Sequence, residues 1–157
     1  MDQHEALTVG DMAPDFTLNT EADTPLRLSG LRGHRVVIYF YPQDDTPGCT
    51  IQACSFRDSY PQIEEQNAVV LGISPDDSGS HRKFKTKFDL PFTLLVDPDH
   101  AVADQYGAWG EKEAYGRKSV GLIRSQFIVD EQGRLIDIQL PVRAKESMPR
   151  ALEVLRG

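Results

Sequence analysis

The sequence predicts an α/β sandwich built on a mixed β-sheet. Three observations carry that expectation. Apolar, β-branched runs alternate with helix-periodic segments in the order β-α-β-α-β. Two further strand-like runs are then separated by a tight turn, and a last helical segment closes the chain. At 157 residues the chain fits one domain, residues 1–157, with enough length to bury a core unaided.

In chain order, APDFTL and PLRLSGL read as a small N-terminal β-hairpin extension. RVVIYFY, Arg35 to Tyr41, is almost continuously apolar, the pattern of a strand covered on both faces. The turn-rich PQDDTPG leads into a helix whose buried stripe is Phe56, Tyr60 and Ile63, at i, i+4 and i+7. Pro61 falls inside that stripe, so the helix must kink or restart there. AVVLGIS, Ala68 to Ser74, is a second buried strand. Ser78 to Asp89 is a charged helix with Phe84 and Phe88 one turn apart, and FTLLVD, Phe92 to Asp97, is a third strand. Ala101 to Tyr106 reads as a short helix, and Gly107 to Gly121 as a long glycine-punctuated loop, a class often tied to function. Ser125 to Asp130 and Arg134 to Leu140 flank EQG as a hairpin, and Glu146 to Arg156 forms the closing helix.

The charge balance is acidic, with a formal net charge of −7. That argues against a generic nucleic-acid or anionic-membrane binder, which would show a basic patch. No apolar run reaches the length of a membrane span, and the N-terminus lacks the basic and apolar regions of a signal peptide. The expected location is the cytoplasm. In a reducing compartment two close cysteines point to catalysis, redox exchange or metal binding rather than to a structural disulfide.

The only cysteines, Cys49 and Cys54, lie within YPQDDTPGCTIQACSFRD. Thr46-Pro47-Gly48 places Cys49 at a helix start, where free backbone N–H groups and the macrodipole favour a thiolate. The polar, turn-rich flank argues against full burial of this thiol. A metal site is disfavoured, because there is no second cysteine pair and His4, His34, His81 and His100 are scattered. A dithiol exchanger of the Cys-x-x-Cys kind is the weaker fit to an x4 spacing. A thiol peroxidase needs one thiolate to attack peroxide and a second thiol to resolve the sulfenic acid, and two cysteines with different roles suffice.

These residues resemble a known family. VGDMAPDFTL from Val9, YPQDDTPGCT from Tyr41, the cysteine at Cys54, YGAWGEK from Tyr106 and RSQFIVDEQG from Arg124 are together similar to the peroxiredoxins, in particular the bacterioferritin comigratory protein or peroxiredoxin Q subgroup. The resemblance spans almost the whole chain. It implies a thioredoxin-like fold and thiol-dependent reduction of hydrogen peroxide and organic hydroperoxides. It implies Cys49 as peroxidatic cysteine and Cys54 as resolving cysteine, joined in an intramolecular disulfide through a sulfenic acid. Pro42, Thr46 and Arg124 match the remaining active-site positions. It further implies a monomer with no cofactor, recycled by thioredoxin or a glutaredoxin system. A redox-sensing or client-binding module using the same cysteines is a further reading. The chain departs from the subgroup pattern at Gln43, where lysine is common, at Gln52 and Ile123, where glutamate is common, and at Gln126, where threonine is usual. None of these falls on a matched position.

The residue types suit the chemistry. An ordinary thiol is only a few per cent ionised at neutral pH, and lowering its pKa also weakens its nucleophilicity. Ionisation alone therefore supplies at most about 2 kcal/mol of rate. The rest must come from groups that hold the peroxide and stabilise charge on the leaving oxygen. Thr46 can accept and donate a hydrogen bond, Arg124 is a permanent cation with a rigid fork of donors, and Pro42, lacking an N–H, can shield the thiolate. Trp109 is expected to pack on the core surface with no catalytic role, and His81 and His100 to be solvated among charges.

Overall fold

The computed structural model describes residues 6–114 and 116–157, so His4 lies outside the described residues. Seven strands form one mixed sheet: β1 Thr17–Thr20, β2 Pro25–Arg27, β3 Arg35–Phe40, β4 Ala68–Ser74, β5 Thr93–Val96, β8 Ser125–Val129 and β9 Leu135–Gln139. Their spatial order is β2-β1-β5-β4-β3-β8-β9. β3, β4 and β5 run parallel, β8 lies antiparallel to β3, and β9 antiparallel to β8. The N-terminal hairpin is no separate appendage, because β1 pairs antiparallel with β5 and extends the sheet.

The apolar run at β3 is continuous because both faces are covered. Val36, Ile38 and Phe40 point into one core, with Phe16, Leu28 and Tyr106. Val37, Tyr39 and Tyr41 point into the other, with Phe56, Ile63, Phe84 and Leu155. The period-2 alternation of the strand thus divides its side chains between two packed layers.

Helix α1 spans Pro47–Asp58, α2 Tyr60–Glu65, α3 Ser78–Phe88, α4 Ala101–Gln105 and α5 Ala144–Arg156. The helix break expected at Pro61 occurs at Ser59, and Pro61 takes an early position of α2, where its missing N–H does no harm. Phe56 anchors α1: it is 0% exposed and stacks on Tyr39 with centroids 5.2 Å apart. Burying such a ring stabilises by about 1.5–3 kcal/mol. Asp77 caps α3 by accepting from the Ser80 N–H at 2.8 Å, and Asp89 ends it in the left-handed conformation.

One expectation is corrected. Gly107 to Gly121 is not a loop but a second, two-stranded sheet, β6 Trp109–Ala114 against β7 Arg117–Leu122. Tyr115 lies outside the described residues. The hairpin is mostly exposed, so no apolar alternation marks its strands. Trp109 is partly buried against the first core, as expected, and stacks face to face on His100, with centroids 3.6 Å apart.

Candidate active site

β3 delivers the chain to the site, and residues 41–46 carry it from the sheet to α1. Thr46 is the N-cap residue with extended backbone, and Pro47 opens the helix. Thr50 N–H closes the first turn on the Thr46 carbonyl at 2.8 Å. Cys49 therefore lies in the first turn, where backbone N–H groups have no intrahelical acceptor and favour negative charge.

The polar flank suggests an accessible thiol, but Cys49 is only 1% exposed. The reason is packing. The first turn lies on the sheet, and Cys49 belongs to the same buried cluster as Tyr39, Tyr41 and Ala53. Gln43, Asp45 and Pro47 of the flank are exposed, while the thiol faces in.

Arg124 is the charge next to it. In the β3–β8 register Ser125 stands opposite Phe40, so residue 124 emerges beside the segment leaving β3. Arg124 Nη2 donates to Cys49 Sγ at 3.4 Å, and Nη1 donates to Gln52 Oε1 at 2.7 Å. The guanidinium fork thus spans the first turn of α1. Gly48 makes room for it, since a Cβ there would stand 3.0 Å from Nη2.

The structure brings together some of the expected residues and not others. Cys49 and Arg124 are in hydrogen-bond contact. The Thr46 hydroxyl donates to the Gln43 carbonyl at 2.9 Å, within its own loop. Pro42 is half-buried in the same loop, next to buried Tyr41. Cys54 is half-buried on α1, and both thiols are free. Gln52, one of the departures from the subgroup pattern, accepts directly from Arg124 and is fully buried.

A second cluster pins the loop. Asp44 is 8% exposed and accepts from Tyr41 Oη at 2.6 Å, Ser80 Oγ at 2.8 Å and His81 Nδ1 at 2.6 Å. Its own N–H donates to Asp76 Oδ2 at 2.7 Å. His81 is not solvated, as the surrounding charges suggested, but 0% exposed. Its Nε2 lies 2.8 Å from the Leu95 carbonyl, so both ring nitrogens face acceptors. Burial pulls the imidazolium down, but the Asp44 hydrogen bond and charge, the Leu95 carbonyl and Asp76 outweigh it, leaving His81 above its ordinary value. Burial, then the charges of Tyr39 and Asp44, holds Tyr41 far above its usual range, so it stays a neutral donor. His81, Asp44 and Asp76 bring one ligand-type atom each within 4.8 Å of one another. In this arrangement those atoms are engaged in the loop's own hydrogen bonds. A signal for His81 was present in the sequence: it lies three residues before Phe84, on the same helix face.

A sequence profile of the AhpC/TSA family matches residues 9–138. The chain is similar to "Peroxiredoxin Bcp" of Bacillus subtilis, 42% identical over 150 residues, 96% of each chain. It is similar in structure to the "Peroxidoxin BcpB" of Mycobacterium tuberculosis, with a TM-score of 0.84 and 33% identity, over 94% of this chain and 96% of that one. It is equally similar to the bacterioferritin comigratory protein of Xanthomonas campestris, whose structures concern alkyl peroxide reduction, with a TM-score of 0.84, 31% identity and 90% of each chain covered.

Proposed function

The chain belongs to the AhpC/TSA family and is a peroxiredoxin, a thiol peroxidase with a thioredoxin-like fold, and from that premise we propose how its own residues perform the reaction. The Cys49 thiolate attacks one oxygen of hydrogen peroxide or an organic hydroperoxide. The O–O bond breaks, Cys49 becomes a sulfenic acid, and the other oxygen leaves as water or alcohol after taking a proton. The observation that carries this reading is the Arg124 contact at 3.4 Å from Cys49 Sγ in the first turn of α1. A fixed cation beside the sulfur can stabilise the departing oxygen. Thr46 supplies a further hydroxyl at the mouth of the loop, and Pro42 screens the sulfur.

Resolution falls to Cys54. Its thiol attacks the sulfenic sulfur, water leaves, and a Cys49–Cys54 disulfide forms. Both cysteines lie on α1. On a regular helix, five residues rise about 7.5 Å and turn about 140°, which puts the two Cα atoms roughly 8.7 Å apart. A disulfide needs about 7 Å or less. The first turns of α1 must therefore unwind for the bond to close. A dithiol reductant, thioredoxin or a glutaredoxin system, then restores both thiols. The two thiols lie on one chain, which suits a monomer working alone.

Consumption of hydrogen peroxide by the pure protein with dithiothreitol is the test. Rapid turnover that Cys49→Ser abolishes supports the reading, and activity of that variant above a few per cent of wild type would overturn it. Slow peroxide consumption alongside fast reduction of protein disulfides would favour the exchanger instead.

A further inference from the structure

A row of buried polar side chains continues behind Arg124. Gln52 Oε1 accepts from Arg124 at 2.7 Å, and Gln52 Nε2 donates to Ser147 Oγ at 2.9 Å. The Ser147 hydroxyl in turn donates to Gln126 Oε1. Each link uses the one donor direction its neighbour leaves open, so the chain runs in a single sense from Arg124 to Gln126. Gln52, Ser147 and Gln126 are all 0% exposed. They belong to α1, α5 and β8, three elements far apart in sequence. Among the described residues, Gln126 Nε2 has no hydrogen-bond partner.

Such a row is out of place in a core. Gln126 shares its strand face with Ile128, which packs in the second apolar cluster. An apolar side chain would fit there without leaving an amide unpaired, and buried polar groups lower stability unless every member is satisfied. A buried polar network that adds little stability can still fix one arrangement of its elements.

The element it fixes is α1. Gln52 lies between Cys49 and Cys54, in the segment that unwinds when the disulfide forms. Unwinding pulls Gln52 away and breaks both of its bonds, one to Arg124 and one to Ser147. We propose that Ser147, backed by Gln126, is a latch that grips Gln52, holds the first turns of α1 wound, and so sets how soon Cys54 reaches the oxidised Cys49. The proposal rests on the disulfide chemistry proposed above. Ser147 meets neither sulfur nor peroxide, so it is a positioning residue. It changes only the population of the open helix. A tight latch leaves the sulfenic acid exposed to a second peroxide, which takes it to sulfinic acid, and a loose latch lets Cys54 close the bond first.

The test is Ser147→Ala. Alanine favours helix, so α5 is kept. In the wound state the Gln52 amide loses its acceptor and stays buried. In the unwound state it reaches water, so the penalty acts on one side of the equilibrium only. After one equivalent of hydrogen peroxide, stopped-flow should show disulfide formation about fivefold faster, the shift expected from one buried hydrogen bond. The sulfinic fraction at a fixed peroxide excess should fall, and amide exchange at residues 50–56 should quicken. Gln126→Leu, which removes the acceptor of Ser147, should move all three in the same direction. Wild-type resolution rates and unchanged exchange at 50–56 in both variants would overturn the latch. So would faster resolution accompanied by equal loss of protection along Val36 to Phe40, which would mark general destabilisation. Wild-type protein that forms no Cys49–Cys54 disulfide by mass spectrometry would overturn the underlying reading instead, so the two failures are distinct.

Discussion

Gly48 and Arg124 approach so closely that a Cβ on the glycine would stand 3.0 Å from Nη2, the same nitrogen that donates to Cys49. The glycine is in α1 with an ordinary helical φ, so alanine there meets no backbone strain. Its effect falls on the guanidinium, which is held from the other side by Gln52. Gly48→Ala should raise thermal stability slightly, by up to about 1 kcal/mol from helix propensity. It should slow the reaction with peroxide roughly tenfold, less than the outright loss of a charge-stabilising donor. Differential scanning calorimetry and stopped-flow rates, measured on the same protein, check the two opposite signs.

Arg124→Ala removes the cation entirely. If Arg124 acts on the departing oxygen, the variant should lose about 2–4 kcal/mol of transition-state stabilisation even at a pH where Cys49 is fully ionised. Thr46→Val should cost less, because the single hydroxyl proton is already donated to the Gln43 carbonyl and is not free for the departing oxygen. Second-order peroxide rate constants on the alkaline plateau decide the matter. Wild-type rates there would confine both residues to tuning the thiol.

Cys54→Ser should complete the first oxidation and then stall as sulfenic acid, over-oxidising more readily than wild type. In wild-type protein, conversion to the disulfide should strip amide protection from residues 50–56 while Val36 to Phe40 keep theirs. Unchanged protection across 50–56, with the disulfide confirmed by mass spectrometry, would sink the unwinding step.

Much of this was legible in the sequence, for physical reasons that vary with the residue. β4 was readable to the residue because both its faces are buried and its run is continuously apolar. The break between α1 and α2 was readable from Pro61 alone. The β6–β7 hairpin was not, because a two-stranded ribbon with few buried side chains carries no period-2 hydrophobic signal. Cys49 was legible as a first-turn position, since TPGC specifies a helix start, but its burial was not, since that depends on how α1 lies on the sheet. Gln52 and Gln126 stood out only as departures from a pattern. That both belong to one row ending at Arg124 depends on the packing of α1, α5 and β8, which no local stretch encodes.

The Asp44–His81 pair predicts a pH dependence outside the sulfur chemistry. His81 has a raised pKa in the folded state, so its contribution to stability is fully present below the unfolded value of about 6.5 and is lost as pH climbs through the folded value. Wild-type stability, measured as the urea midpoint, should therefore decline across that window. His81→Gln should be less stable at pH 6 and lose little more on the way up. Parallel profiles for the two proteins would show that the imidazole does not titrate against Asp44. The groups facing His81 are Asp44 and Asp76 on the loops, Tyr41 at the end of β3 and the Leu95 carbonyl on β5.

The discontinuity at Ser59 separates α1 from α2, so a local opening of the first turns of α1 need not carry α2 with it. Regions bounded in this way open with their own free energy, independent of the global unfolding of the domain. The cycle proposed above, which opens only the first turns of α1, would draw on that local reserve. The seven-stranded sheet can then be made more rigid, by filling or repacking the core on the face opposite α1, without slowing turnover. On the cycle proposed above, thermal resistance and catalytic speed, commonly in conflict in one molecule, would fall to different parts of the fold.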